Sequence, residues 1–153
     1  VAEMKVVYMA VSELVPYENN PRNNEKAVEA VANSIREFGF KNPIIVDRQK
    51  VIVSGHTRRL AALKLGLDQV PVVYADDLTE DQIKAFRLAD NRVAEMAAWD
   101  EDLLKEEMAK AVDFEFGDYG FDQKDLDEIV KKDVNIKTHK CPRCGMEWTA
   151  REV

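Results

Sequence analysis

The run Val51-Ile52-Val53-Ser54-Gly55-His56-Thr57-Arg58-Arg59-Leu60 holds the residue types best suited to chemistry: an apolar stretch closes on a glycine, and a hydroxyl and two guanidiniums follow at once. A helix starting there points unpaired N–H groups and the positive end of its dipole at an anion. Gly55 lets a phosphate approach the backbone, Thr57 adds a hydroxyl, and Arg58 or Arg59 adds a planar fork for phosphate oxygens. His56 can donate to a phosphate or carry a proton near neutral pH, and equally can cap or pack. A plain strand–turn–helix with two solvated arginines accounts for the same letters.

Two further places carry candidate chemistry. Asp90 falls between Phe86 and Val93 at helical spacing, on or beside an apolar face. A carboxylate there needs a partner, either a bound Mg²⁺ or an arginine from elsewhere in the fold. Near the end, Cys141-Pro142-Arg143-Cys144-Gly145 is a knuckle that sets two thiolates on one metal. Structural Zn²⁺ takes four ligands. The chain has only 2 cysteines, so His139 is the candidate third ligand and a second copy or a partner must complete the site.

The elements that must position these groups alternate at first. Val6–Val11 reads as a strand, and Tyr17–Asn24, dense in turn formers, as a loop. Val28, Val31, Ile35 and Phe38 predict a helix with Asn24 as N-cap and Gly39 past its end. Ile44–Val46 and Val51–Val53 flank a turn at Asp47–Lys50. Leu60, Ala61 and Leu63 begin a short helix that Gly66 can end. Val70–Ala75 is a further strand, which Pro71 places towards an edge or a strand start. From Thr79 the pattern turns helical: Thr79 and Gln82 form a capping box, and Phe86, Ala89, Val93 and Met96 trace one face. Asp100 can cap a helix carrying Leu103, Leu104 and Met108. Asp113–Gly120 reads as a loop, and Asp122 can cap a last helix stapled by Phe121 and Leu126.

Composition narrows the classes. The 153 residues allow one domain and a small appendage, at roughly 100–200 residues per domain. At 46% hydrophobic and 33% charged, the chain is globular in character. No apolar run approaches the roughly 18 residues of a membrane helix, and Val6–Val11 is too short for a signal-peptide core. With so few cysteines, a reducing cytoplasmic setting is expected. The net charge of −7 is uneven: +2 over residues 1–75, −11 over 76–133 and +2 over 134–153. The acidic middle repels phosphate backbones, which leaves the first half to make any contact with nucleotide or nucleic acid.

Several blocks together resemble the N-terminal domain of the partition protein ParB, within the ParB/sulfiredoxin-like family. They are Asn20-Pro21-Arg22; Ser34–Gly39 followed by Pro43–Val46; Gly55–Ala61 with Gly66-Leu67 and Val70–Val72; and Asp90-Asn91-Arg92. The resemblance covers about residues 5–98. The family's arginine box usually reads Gly-Glu-Arg-Arg-x-Arg; here His56 stands for the glutamate, Thr57 for the first arginine and Leu60 for the last, while Arg58 stays in register. His56 also stands where sulfiredoxins carry their cysteine, so sulfinic acid repair is excluded. Ser54 stands where the free serine kinase branch has an aspartate.

The resemblance implies a ParB/sulfiredoxin-like mixed α/β core over residues 1–98, to which the charge pattern and the cysteine motif add an acidic helical extension over 99–133 and a zinc-knuckle tail over 134–153. It implies nucleotide binding, CTP or ATP with Mg²⁺, through Asn20, Arg22, Gly55, His56, Thr57, Arg58 and Arg59, with Asp90 and Asn91 on the metal. By likeness to the kinases, Glu18 is a candidate general base, alongside His56. The expected role is a phage or mobile-element accessory protein of DNA metabolism. Its partners would be nucleotide, DNA or a DNA-modifying protein such as a methyltransferase, without membrane, with a homodimer as one state. Two other readings stand beside it: a metal-dependent nuclease or nucleotide-dependent kinase, and an interaction module whose cradle is empty.

Overall fold

The computed structural model describes residues 4–111, 113–122, 136–140 and 147–151. The chain divides into two compact units, Val1–Asp100 and Glu101–Val153. The first is a mixed α/β unit built on β1 (Val6–Ala10), α1 (Glu25–Phe38), β2 (Ile44–Val46), β3 (Ile52–Ser54), α2 (His56–Lys64), β4 (Gln69–Tyr74) and α3 (Glu80–Met96). Its sheet runs in the order β1-β4-β2-β3. β4 is antiparallel to β1 and parallel to β2, and β2 is antiparallel to β3.

β-branched residues at alternate positions give the sheet one continuous inner face. Ile44, Val46, Ile52, Val70 and Val72 are wholly buried there, with Met9, Val11 and Leu14 around them. Ala62 brings α2 onto this core, and α1 packs on α2. Small side chains make that close approach: Ala32, Ala61 and Ala62 are fully buried, whereas Leu60 and Leu63 of α2 are exposed. Alanines pack two helices closely and leave the leucines outside.

Of the two places expected for Pro71, an edge or a strand start, the structure takes the second. Pro71 lies in β4, an interior strand, opposite Tyr8. Ala75 donates its N–H to Val46, and backbone groups alternate sides along a strand. The N–H that Pro71 lacks therefore faces β2, one residue before β2 joins at Ile44↔Val72. No ladder bond is forfeited.

Caps follow local chemistry. Thr79 Oγ1 accepts from the Gln82 amide at 3.3 Å, and Gln82 Oε1 accepts from the Thr79 amide at 2.9 Å, closing the expected box at the start of α3. At α1 the Asn24 side chain does not cap; Asn23 Oδ1 instead accepts from the Glu25 amide at 3.0 Å. Along α3 only Ile83 is buried, while Val93 and Met96 of the expected apolar face are exposed.

In the second unit, α4 (Glu101–Lys110) buries Met108. A 3₁₀ turn at Phe116–Tyr119 ends in Gly120, and the Phe116 and Phe121 rings meet edge to face at 5.8 Å. β5 (Ile136–Lys140) and β6 (Glu147–Arg151) form an antiparallel pair that sets His139 opposite Trp148, a hairpin the sequence reading did not anticipate. The helix expected after Asp122, and Cys141 and Cys144 of the knuckle, lie outside the described residues.

Candidate phosphate cradle and its neighbouring cleft

β3 ends at Ser54 on the sheet edge, Gly55 turns the chain, and α2 begins at His56. Gly55 has φ 108°, a left-handed conformation that strains any L side chain. A Cβ there would also stand 3.1 Å from Arg58 Nε and 3.2 Å from Ile44 Cγ1. Glycine is thus required by conformation, and the space for a side chain is tight. Arg59 makes the first helical bond, to the Gly55 carbonyl. Helix geometry leaves the amides of His56, Thr57 and Arg58 without intrahelical acceptors, and Gly55 has no side chain to cap them.

The two arginines divide their work. Arg58 turns under the loop, where Nη1 donates to the carbonyls of Asn42 at 3.0 Å and Pro43 at 2.6 Å, and Nη2 to Ser54 Oγ at 3.3 Å. Burial draws its pKa down, and the charge of Asp90 opposes that. Arg58 is therefore occupied as a brace of the turn. Arg59 keeps a buried Nε with no partner, an orphaned donor beside the uncapped helix end.

Ser54 Oγ donates to Asp90 Oδ2 at 2.8 Å, so the end of β3 is tied to α3. Asp90 is exposed, and its Oδ1 remains available. Arg22 Nη1 donates to Asn91 Oδ1 at 2.7 Å and Nη2 lies 3.7 Å from Glu95, while Asn91 Nδ2 donates to the Arg87 carbonyl. Asn20 closes the local loop on the backbone of Arg22. Three separated segments thus meet: Asn20–Arg22 on Asn91, and Ser54–Arg58 on Asp90. Among the described residues no three His, Cys, Asp or Glu side chains converge. Asp90 and Asn91 can offer Mg²⁺ two oxygens, as suits an ion that takes the rest from phosphates and water, but Asn91 Oδ1 must first be given up by Arg22.

On the far side of His56 the arrangement is tighter. His56 Nε2 accepts the backbone N–H of Tyr17 at 3.2 Å. Burial first, then Arg87 and Arg59, holds this imidazole below its usual range. The Arg87 guanidinium lies 4.0 Å from the Tyr17 ring centroid, donates to the Ile52 carbonyl at 3.3 Å and pairs with Asp47 at 3.5 Å. Asp47 also accepts the amides of Gln49 and Val51, both at 2.9 Å. These groups border a cleft of about 410 Å³ between the Val15–Asn19 loop, the Asp47–Val51 turn and the start of α3. Glu18, read from the sequence as a candidate base, is exposed and lines this cleft with Glu80 and Lys84. Sequence reasoning missed Asp47 and Arg87, because their pairing is purely tertiary.

The fold is that of a ParB-like α/β domain. The chain belongs to the ParB N-terminal domain family, whose model matches residues 1–97. It is 38% identical over 81 residues to the ParB-like nuclease domain-containing protein YnaK of Escherichia coli, covering 52% of this chain and 93% of that protein. It is 34% identical over 91 residues to the chromosome-partitioning protein Spo0J of Thermus thermophilus, covering 56% of this chain and 34% of that one. The chain thus matches about a third of the length of that partition relative. The C-terminally truncated chromosome-partitioning protein ParB from Caulobacter crescentus, solved with CTP-γ-S, shares the fold with a TM-score of 0.56 at 19% identity, over 86% of this chain and 87% of that one.

Proposed function

We propose that this chain is a nucleotide-binding accessory protein of DNA metabolism, of the phage or mobile-element kind, taking CTP or ATP with Mg²⁺ at the start of α2. The observation that carries this reading is Gly55. A positive φ and tight surroundings disfavour any side chain, which keeps three helix-end amides open to an anion. Arg59 supplies the unpartnered guanidinium donor, and Asp90 with Asn91 supplies the metal-facing oxygens. A triphosphate also gives Arg22 a replacement for Asn91, which frees that oxygen for Mg²⁺. The solved Caulobacter relative was captured with a CTP analogue, which supports a pyrimidine triphosphate as the first ligand to try.

The acidic character of residues 76–133 argues against duplex binding by this stretch, so the nucleotide state would govern engagement of a partner: a DNA-modifying protein, DNA presented by one, or a second copy. No helix among the described residues is long and apolar enough to cross a membrane, which is compatible with a cytoplasmic setting. The test is a calorimetric panel of CTP, ATP, GTP and the diphosphates, with and without Mg²⁺. A triphosphate should bind with Mg²⁺ and lose about ten- to a hundredfold in affinity in Arg59→Ala, the cost of one charge-assisted contact. Failure of every nucleotide to bind would leave the cradle empty and overturn the reading.

A further inference from the structure

His56 opens the cradle helix and accepts from Tyr17, which lines the cleft. It is the first residue of α2, so an anion held by the helix-end amides would lie beside it. Its Nε2 is already used as an acceptor, for the Tyr17 N–H at 3.2 Å. A neutral imidazole accepting there must carry its one proton on Nδ1. Protonating Nε2 turns that acceptor into a donor facing another donor, and the bond to Tyr17 is lost.

What depends on that bond is a strap. Tyr17 belongs to the loop that runs through Glu18 and Asn20 to Arg22, and its ring is covered by Arg87 from α3. The charged groups around His56 are Arg59 on α2 and Arg87 on α3; Asp47 of the β2–β3 turn is spent on Arg87, and Glu18 beside Tyr17 is exposed. Two cations and burial keep the imidazole neutral, as does the positive end of α2. A di- or triphosphate brings several negative charges to this spot and reverses the balance.

We propose that His56 is a protonation-controlled latch: neutral, it fastens the Tyr17–Arg22 strap, and on acidification or on arrival of a polyphosphate at the start of α2 it takes up a proton and lets the strap go. The polyphosphate arm rests on the nucleotide reading above. The acid arm does not. Release would free Arg22 to leave Asn91 and meet the phosphates, so the same event that loosens the loop would open the metal-facing oxygen.

Nuclear magnetic resonance on the full ¹⁵N-labelled chain tests it. Without ligand near neutral pH, the imidazole should show its proton on Nδ1. As pH falls, Nε2 protonation and loss of Tyr17 amide protection against exchange should share one midpoint below the usual histidine value, protection dropping about five- to tenfold for one lost hydrogen bond. In His56→Gln, whose side-chain oxygen keeps an acceptor, Tyr17 should stay protected throughout; should that variant not fold, the wild-type titration decides alone. Tyr17 protection that ignores the imidazole, or a free-state proton on Nε2, overturns the latch. For the second arm, calorimetry with Mg-CTP, Mg-ATP and inorganic triphosphate in buffers of different ionisation enthalpy should reveal proton uptake on binding. Binding without uptake overturns the coupling while leaving the nucleotide reading intact. Absence of binding by any probe overturns that reading, and the acid arm still judges the latch.

Discussion

Two aspartates, Asp47 on Arg87 and Asp90 on Ser54, do opposite things. Asp47 is buried, accepts two backbone amides and pairs with Arg87, both side chains being only about a tenth exposed. Asp90 is exposed, accepts one hydroxyl from Ser54 and keeps an oxygen for something else. A carboxylate whose acceptor sites are filled within the fold is part of the scaffold. One with room left beside an uncapped helix is where a ligand can be met. The difference separates the brace from the site more clearly than residue type can.

The largest expected effect tests that contrast. Asp47→Ala leaves Arg87 charged and half-partnered in a buried place and strips two amides of their acceptor, so stability should fall by about 3–5 kcal/mol. Asp90→Ala should change stability by less than about 1 kcal/mol and abolish the Mg²⁺ dependence of nucleotide binding. Urea midpoints and calorimetry on both variants decide it: equal midpoints would erase the distinction between brace and site.

The arginines should divide in the same direction with a smaller gap. Arg58→Ala removes three donations that hold the turn, and a loss of roughly 1–3 kcal/mol in stability is expected. Arg59→Ala should leave the melting temperature nearly unchanged and weaken the ligand. The reverse pattern would restore Arg58 as the phosphate fork that the sequence suggested.

A pH effect comes next. His56 has a folded-state pKa below its unfolded value, so its contribution is fully present above the unfolded pKa and is lost as pH falls through the lowered one. Wild type should therefore weaken below about pH 6.5 more steeply than His56→Gln in urea titrations. Parallel curves would remove His56 as the cause. The smallest effect on the first unit is expected from zinc. Any ion held by Cys141, Cys144 and His139 needs ligands from a second chain or a partner, so chelation should reduce the sedimenting mass and leave the melting of residues 1–100 unchanged. A mass indifferent to chelator means the knuckle builds no oligomer.

Local rules made much of this fold legible. The Thr79–Gln82 box, the strands around Asp47–Lys50 and the glycine that opens α2 rest on contacts within a few residues, and the family's spaced blocks located the fold itself. What local rules leave open is tertiary. Leu60, Ala61 and Leu63 announce a short helix but not its inner face, which the closeness of α1 and α2 gave to Ala61 and Ala62. Pro71 leaves an edge and a strand start both open, because sequence does not show that its missing donor faces the open end of a neighbour. Asp90 reads as lying on or beside an apolar face with Mg²⁺ or an arginine as its partner, yet it is exposed and accepts from Ser54, since helical spacing reports a face but not what covers it.

β4 is the fourth strand in the chain and the second in the sheet. β1 has no neighbour but β4, and β2 meets β4 in parallel, so Val6 must find Val73 before the first strand is paired at all. Closing so long a loop is slow and is repaid only once both neighbours are in place. During synthesis, then, only the local β2–β3 pair can form before residues 69–74 are available, and β1 stays unpaired until they are. Ser54 at the sheet edge and Asp90 on α3 would be brought together only after that, making the cradle a late product of folding.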